Sequence, residues 1–412
     1  MSLPGRPKGE HRSAQHEGCL VSALRVLVVH NAYQWAGGED GVVAAEMALL
    51  RRHGHEVIEM RRDNHEVAAI GRPRLAAQTV WSCGTHRDAL ALLREHRPDV
   101  VHVHNTLPLI SPSVYWACAA AGVPVVQTLH NFRLACPQAM FLREGKVCER
   151  CLGRTPLPAL LHGCYRDSRV QTAVVVGMLA VHRMLRTYER KVTRYIALNE
   201  FCRGKFVQAG LPAERIVVKP NFADVDLPPA PIHTQRSGLL FVGRLAPEKG
   251  IDVLRRAWPG PTPMRLRVAG DGPDAPLLAS LQGVQMLGPR TPAQVLSEMA
   301  GATALVLPSI CYENFPRTLV EAFGCGLPVI ASRIGALAEL VEHGTTGLHF
   351  APGDPADLSR VMRWAQAHPQ HMAVMGANAR ARYESHYTPD INHRQLLAIY
   401  RSAINDRDGS PT

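Results

Sequence analysis

Along this chain, short apolar runs rich in β-branched residues alternate with helix-patterned stretches in two series, and one break separates the series. The first series is Leu24–His30, Val57–Met60, Val100–His104, Val125–His130, Tyr195–Leu198 and Ile216–Lys219. The second is Leu239–Val242, Leu266–Ala269, Val284–Leu287, Ala304–Leu307, Val329–Ala331 and Leu348–Phe350. Several runs are continuous Val, Ile and Leu, as expected of strands buried on both faces of a parallel sheet. Between the first two, Val43, Met47 and Leu50 recur at helical spacing and Gly54 stops the helix. Two such series predict an α/β fold of two Rossmann-like, doubly wound parallel-sheet domains.

The break, Asp226–Arg236, holds three prolines and little to bury, and reads as a linker over 223–236. Residues 23–222 then form the first domain and 237–385 the second, a division that suits 412 residues. Residues 1–22 are polar, with no apolar run after their basic residues, and are expected to be a disordered tail and not a secretory signal. Asn392–Ile404 has a helical pattern, so 386–412 is expected to hold a C-terminal helix that crosses back to the first domain. No stretch approaches the ~18 apolar residues of a membrane span, which predicts a cytoplasmic protein. Ten cysteines in that compartment argue for thiols or metal over disulfides.

Open parallel sheets bind ligands beyond the carboxyl ends of their strands, and two of them joined by a linker make a cleft. Three segments of the second domain lie where a strand ends and a helix begins. In Gly243-Arg-Leu-Ala-Pro-Glu-Lys-Gly250, Arg244 and Lys249 suit a diphosphate, the one as a fork and the other as a point charge. In Ala269-Gly-Asp-Gly-Pro273 two glycines allow a tight turn and a close approach of ligand to backbone. In Tyr312-Glu-Asn-Phe-Pro-Arg-Thr-Leu-Val-Glu321 two carboxylates stand eight residues apart. A carboxylate can accept from both hydroxyls of a ribose, and the free amides of a helix start near Pro316 suit a phosphate.

Glu313 and Glu321, with GRLAPEKG and AGDGP before them, make the chain similar to the retaining glycosyltransferases of family 4 (group 1), from about residue 23 to 405. That resemblance implies the GT-B fold and transfer of a hexose-type sugar from a nucleotide diphosphate sugar, UDP-sugar by default. The acceptor would be a glycan or a lipid-linked glycan in surface polysaccharide or glycoconjugate synthesis. By the same resemblance Arg244 and Lys249 hold the donor diphosphate, Glu321 the ribose, and Glu313 the donor sugar. Backbone amides around Asn314, Phe315, Leu319 and Val320 contact sugar and phosphate. Many relatives carry Gly where this chain has Pro316, which has no N–H to offer.

In the first domain Gly37 and Gly38 precede a helix and let backbone amides approach a phosphate across the cleft. His130, at a strand's carboxyl end, matches the family's active-site histidine and would bond the donor sugar or the reacting centre. His104 and Asn105 end the neighbouring strand and are candidates for the acceptor pocket. No Asp-x-Asp motif stands where it could carry a divalent metal, so catalysis is expected to need no cofactor, with Arg244 and Lys249 stabilising the leaving diphosphate. The alternatives are a nucleotide-sugar epimerase of the same fold and a non-catalytic protein that binds nucleotide-sugar or membrane. Release of nucleoside diphosphate with and without acceptor separates them. Nucleic acid is not expected as a partner, because no aromatic stacking platform or binding motif is present.

Two features remain. Cys136, Cys148, Cys151 and Cys164, spaced C-x11-C-x2-C-x12-C, fall in an inserted segment, 132–190, whose intervening residues look too polar to fold without a staple. They suit a structural tetrahedral zinc. The net charge of +11 is also one-sided: residues 1–220 carry 29 Lys and Arg against 18 Asp and Glu, and the remainder 17 of each. With the amphipathic stretch Val170–Leu185 and its flanking arginines, this predicts a peripheral contact with an anionic membrane, unless that stretch is a buried helix of the first domain.

Overall fold

The computed structural model describes residues 23–34, 37–225, 236–260 and 264–408. The predicted tail, 1–22, and most of the predicted linker, 226–235, lie outside these residues. The strands are β1 (Arg25–Ala32), β2 (Glu56–Asp63), β3 (Val100–Asn105), β4 (Val125–Thr128), β5 (Leu142–Arg143), β6 (Lys146–Val147), β7 (Arg194–Ala197) and β8 (Ile216–Val218) in the first lobe. In the second lobe they are β9 (Leu239–Val242), β10 (Leu266–Ala269), β11 (Val284–Gly288), β12 (Ala304–Leu307), β13 (Val329–Ser332) and β14 (Gly347–Phe350). Each of the twelve apolar runs coincides with one sheet strand.

The first sheet has the order β2-β1-β3-β4-β7-β8 and the second β11-β10-β9-β12-β13-β14, with parallel pairing throughout both. This is the two-domain GT-B arrangement. The inner strands of both sheets are buried on both faces, as their unbroken apolar runs require, while the edge strands β2 and β11 are largely half-buried or exposed. Val29, Val101 and Val103 face one core of the first lobe, and Val26, Val28, Val100 and Val126 face another. Strand order reverses between β1 and β3 in the first sheet and between β9 and β12 in the second. Each reversal opens a crevice at the strands' carboxyl ends.

The helix Pro369–His386 packs on the second lobe through Ala379 and Tyr383. The next helix, Pro389–Asp408, packs on the first, placing Leu396, Leu397, Ile399, Tyr400 and Ala403 against Val26, Val28, Val100, Val126 and Ile196. The chain thus passes between the lobes twice, side by side: the Ala223 N–H donates to the Tyr387 carbonyl at 3.3 Å, and Tyr383 Oη donates to the Ala223 carbonyl at 2.9 Å.

Between β4 and β7 the chain forms the β5–β6 hairpin and the helices Leu157–His162, Arg169–Met184 and Thr187–Arg190. This segment is less polar in effect than its composition suggested, because Phe132, Ala135, Cys136 and Phe141 are buried in the first-lobe core. The stretch predicted to be amphipathic is a helix with one face, Val175, Met178 and Leu179, packed against Val80 and Leu107. Arg183 on it donates to the Leu134 carbonyl at 3.1 Å and so belongs to the fold. Among the described residues no helix is long and apolar enough to cross a membrane.

Candidate active site

On the second lobe, the loop after β9 turns through Pro247–Lys249 and meets the loop after β12. Gly250 makes this possible: its φ of 71° is left-handed, and a Cβ there would overlap the Pro308 carbonyl oxygen. The Ile310 N–H donates to the Glu248 carbonyl at 3.1 Å and ties the loops together. Lys249 Nζ comes within 2.6 Å of Glu313 Oε1, and Ser309 Oγ donates to the same oxygen at 2.7 Å. Burial pushes the Glu313 carboxyl up, but the Lys249 ammonium and the Ser309 hydroxyl outweigh it and hold the group below its usual range. Burial likewise opposes the Lys249 charge, and Glu313 more than restores it. Arg244 is paired with Glu248, and its own side chain is 65% exposed, free to swing toward a ligand.

Glu321 lies in the second turn of the helix Arg317–Gly324 and is bonded by Arg317 Nε at 2.8 Å. Burial raises its pKa above the usual range despite that cation. The side chains of Phe315, Leu319 and Val320 are buried in the lobe's core, leaving only their backbone to a ligand. The Leu319 N–H is already bonded to the Pro316 carbonyl at 3.1 Å. Asn314 is committed to the other lobe: its side chain donates to the Leu129 carbonyl at 3.3 Å, and its own carbonyl accepts from Asn199 Nδ2 at 2.5 Å. In the AGDGP turn, a Cβ on Gly270 would overlap the Gly243 carbonyl oxygen. The close approach that Gly270 permits there is between two protein loops.

On the first lobe, Gly37 caps the exposed start of the helix Gly38–Arg52. Its N–H donates to Asp40 Oδ2 at 2.8 Å, and Asp40 Oδ1 lies 2.8 Å from His30 Nε2. Arg317 reaches across the cleft to this helix, since a Cβ on Gly41 would overlap its guanidinium. The sequence reading missed Arg317, which is marked only by its place directly after Pro316.

His130 Nε2 and His104 Nδ1 are 2.8 Å apart, and His104 Nε2 is 3.7 Å from Glu46 Oε2. Behind them, buried Lys219 Nζ bonds Glu46 Oε1 at 2.6 Å and Asn392 Oδ1 at 3.1 Å. His104 and Asn105, the candidates for the acceptor pocket, thus present little surface. Each is buried, and Asn105 is spent on the Asn31 carbonyl at 2.9 Å and the Leu107 N–H at 3.0 Å. They back the site from within. Burial lowers the His130 pKa to about 3, Glu46 opposing and His102 and His30 adding to the shift, so its imidazole is neutral near pH 7.

Glu39 is a second residue missed from the sequence, where it reads only as an acid at a helix start. Tyr33 Oη donates to Glu39 Oε2 at 2.9 Å. Burial pushes this carboxyl up to about 7, against the pull of His30, Tyr33 and Asn131.

Among the described residues, Glu46, His102 and His104 form the one set of three ligand atoms within 4.8 Å of one another. The cation there is already Lys219, and His102 is held on both nitrogens, by Tyr400 Oη at 2.7 Å and Thr128 Oγ1 at 2.8 Å. The four cysteines of the insertion are free thiols, Cys136 buried and Cys148, Cys151 and Cys164 half-buried.

Both halves of the chain match known families. Residues 36–227 match glycosyltransferase family 4, and residues 236–367 match the glycosyl transferases group 1. The chain is 28% identical over 375 residues to a glycogen synthase of Mycobacterium tuberculosis, covering 85% of this chain and 81% of that enzyme. It is 30% identical over 340 residues to a D-inositol 3-phosphate glycosyltransferase of Gordonia bronchialis, covering 74% and 66%. Its fold is that of HepE from Anabaena, solved in complex with UDP-glucose, with a TM-score of 0.64, 20% identity, and 92% of this chain and 100% of that one covered. The chain therefore belongs to the family 4, group 1 glycosyltransferases and is a glycosyltransferase enzyme.

Proposed function

We propose that the chain transfers a hexose from a nucleotide diphosphate sugar, a UDP-sugar by preference, with retention of anomeric configuration. The observation that carries this reading is the Lys249–Glu313 pair at the strand-order reversal of the second sheet, one half-buried cation beside the loop that faces His130's lobe. A leaving diphosphate takes Lys249 and the exposed Arg244 as its counter-charges. Glu321 accepts from the ribose hydroxyls, which replace Arg317 as its partners, and Arg317 is then free for phosphate. Glu313 keeps Lys249 charged and offers its second oxygen to the sugar. Neutral His130 is a hydrogen-bonding group toward the sugar and not a charged acid. No step in this scheme draws on a metal ion. The HepE structure with UDP-glucose supports the choice of donor.

The acceptor in this reading is a lipid-linked glycan of a surface polysaccharide pathway, met at the inner face of an anionic membrane. Of the ten exposed large apolar side chains among the described residues, five, Leu157, Leu161, Val170, Met184 and Leu185, fall within 157–185. Exposed Arg169 lies among them and exposed Arg190 just beyond, joining an apolar surface to cations as membrane attachment requires. The test is release of nucleoside diphosphate from a panel of donors, each with and without a membrane extract as acceptor source. Release that depends on one donor and on the acceptor supports transfer. No release from any nucleotide-sugar rejects the proposal.

A further inference from the structure

The insertion after β4 fixes the backbone of its four cysteines in short turns. Cys136 N–H bonds the Phe132 carbonyl at 2.8 Å and Cys148 N–H the Phe141 carbonyl at 2.7 Å, and the two rings pack with centroids 5.0 Å apart. On the other side, Cys164 N–H bonds the Ala159 carbonyl at 3.0 Å, and the backbone of Ala159 also hydrogen-bonds the Cys151 thiol. Cys148 and Cys151 flank a tight turn closed by the Leu152 N–H on the Glu149 carbonyl at 3.0 Å. None of the four is in a disulfide. The thiols of Cys136, Cys164 and Cys148 all lie near enough to Cys151 to act on it electrostatically. Their sulfurs are not drawn into a closed ligand sphere, since no three lie within 4.8 Å of one another. A metal bound there would have to draw them together, by a change of side-chain rotamer in the half-buried cysteines.

The turn between Cys148 and Cys151 also carries a contact to the other lobe. Glu149 lies 2.7 Å from Lys205 Nζ and accepts from the hydroxyl of Tyr312. Tyr312 enters an aromatic box on the first lobe, 4.8 Å from the Phe201 ring, 5.8 Å from Phe141 and 6.4 Å from Phe132. It directly precedes Glu313, so the cysteine turn and the Lys249–Glu313 pair are joined through two consecutive residues.

We propose that Cys136, Cys148, Cys151 and Cys164 bind one zinc ion as thiolates, and that this metal fixes Glu149 as the anchor for Tyr312 and so sets the position of the Glu313 loop. Four soft sulfur ligands in a tetrahedral set select zinc or iron. Binding releases four thiol protons per Zn²⁺ and leaves a dianionic centre, which Arg143, close enough to act on Cys164, partly offsets. The metal is structural, because four protein ligands leave no open position. The second half of this proposal rests on the donor reading above; the first half does not.

Elemental analysis of full-length protein purified without chelator should find about one equivalent of zinc per chain. Cobalt exchanged into the site should show tetrahedral visible bands and sulfur-to-metal charge transfer, both lost in Cys151→Ser and in Cys164→Ser. Glu149→Gln should keep the metal yet raise the donor KM about five-fold or more, and chelation of wild-type protein should raise it similarly. A folded, metal-free protein with four titrating thiols that takes up neither cobalt nor zinc overturns the site, as does bound iron in place of zinc. A donor KM unmoved by chelation or by Glu149→Gln overturns the coupling. Metal content and the cobalt spectrum need no donor, so they hold or fail apart from the enzymatic reading.

Discussion

Lys249 Nζ and Glu313 Oε1, 2.6 Å apart, belong to two loops that only the left-handed Gly250 allows to touch. Each is the other's reason for staying charged in a mostly buried place. Lys249→Ala should slow transfer by roughly two orders of magnitude, as for loss of one charge-stabilising donor. It should also leave the half-buried Glu313 with only Ser309 and the more distant Arg244 to hold its charge, and the carboxyl pKa should rise. Steady-state kinetics on a folded variant decide the first point; wild-type turnover removes Lys249 from the site.

Glu321 is paired with Arg317, whose guanidinium lies against the first lobe at Gly41. If donor ribose displaces that cation, Glu321→Gln should weaken donor binding by about ten-fold, the loss of roughly one charge-assisted hydrogen bond. Calorimetric titration with the nucleoside diphosphate measures it, and an unchanged dissociation constant refutes the assignment.

The ion pair of Glu46 and Lys219 is fully enclosed, with side chains 3% and 2% exposed. Removing one partner strands the other in a low-dielectric interior. Lys219→Met should therefore cost about 3–5 kcal/mol of stability, visible in the denaturant midpoint. A change below 1 kcal/mol would mean that water reaches Glu46.

Glu39 gives a pH dependence with a defined sign. Its carboxyl pKa rises from 4.5 in the unfolded chain to about 7 in the folded one. Between those values the folded state holds a proton that the unfolded state has lost. Stability contributed by this group is thus fully present below about 4.5 and is lost as pH rises through about 7. Glu39→Gln should flatten that part of the melting-temperature profile and stabilise the protein above pH 7. Parallel profiles for wild type and variant would contradict this.

Attachment to vesicles should require anionic lipid and fall with salt, since each cation near such a surface contributes about 1 kcal/mol and is screened by ions. Arg169→Gln with Arg190→Gln should lower the bound fraction in sedimentation. Arg183 is a poor choice for this test, because it holds the Leu134 carbonyl. Equal recovery in the supernatant under all conditions would make the charge an ordinary solvated surface.

Local pattern explains what could be read in advance. The inner strands were legible because a strand buried on both faces is written in consecutive residues, as in Val100–Val103 or Leu305–Leu307; the edge strands β2 and β11 carried only short apolar runs. Carboxyl-end placement made His130, Lys249 and Glu313 candidates for one cleft. What misled was direction: His104 and Asn105 stand at a strand end like His130, but their side chains turn into the lobe. Which way a strand's last residues point depends on what packs behind them, here Glu46, Lys219 and Asn31. Lys219 and Asn392, 173 positions apart, share a hydrogen bond that no spacing rule connects. Nor could spacing show that Asn314 serves the opposite lobe or that Glu39 lies against Tyr33.

The helix Pro389–Asp408 has a consequence for the order of events during synthesis. It covers the face of the first sheet formed by Val26, Val28, Val100, Val126 and Ile196, and supplies Tyr400 to His102 and Asn392 to Lys219. A ribosome delivers the first lobe's strands long before it delivers that cover. Domains made first generally fold first, but here the earlier lobe waits with that side covered only by Val43, Met47 and Leu50 of the helix Gly38–Arg52 until the second lobe has emerged. During that interval an apolar sheet face is available to chaperones or to another nascent chain. Residues 23–225 produced alone should carry the same exposed face permanently, and their solubility should recover when the helix is supplied as a separate peptide.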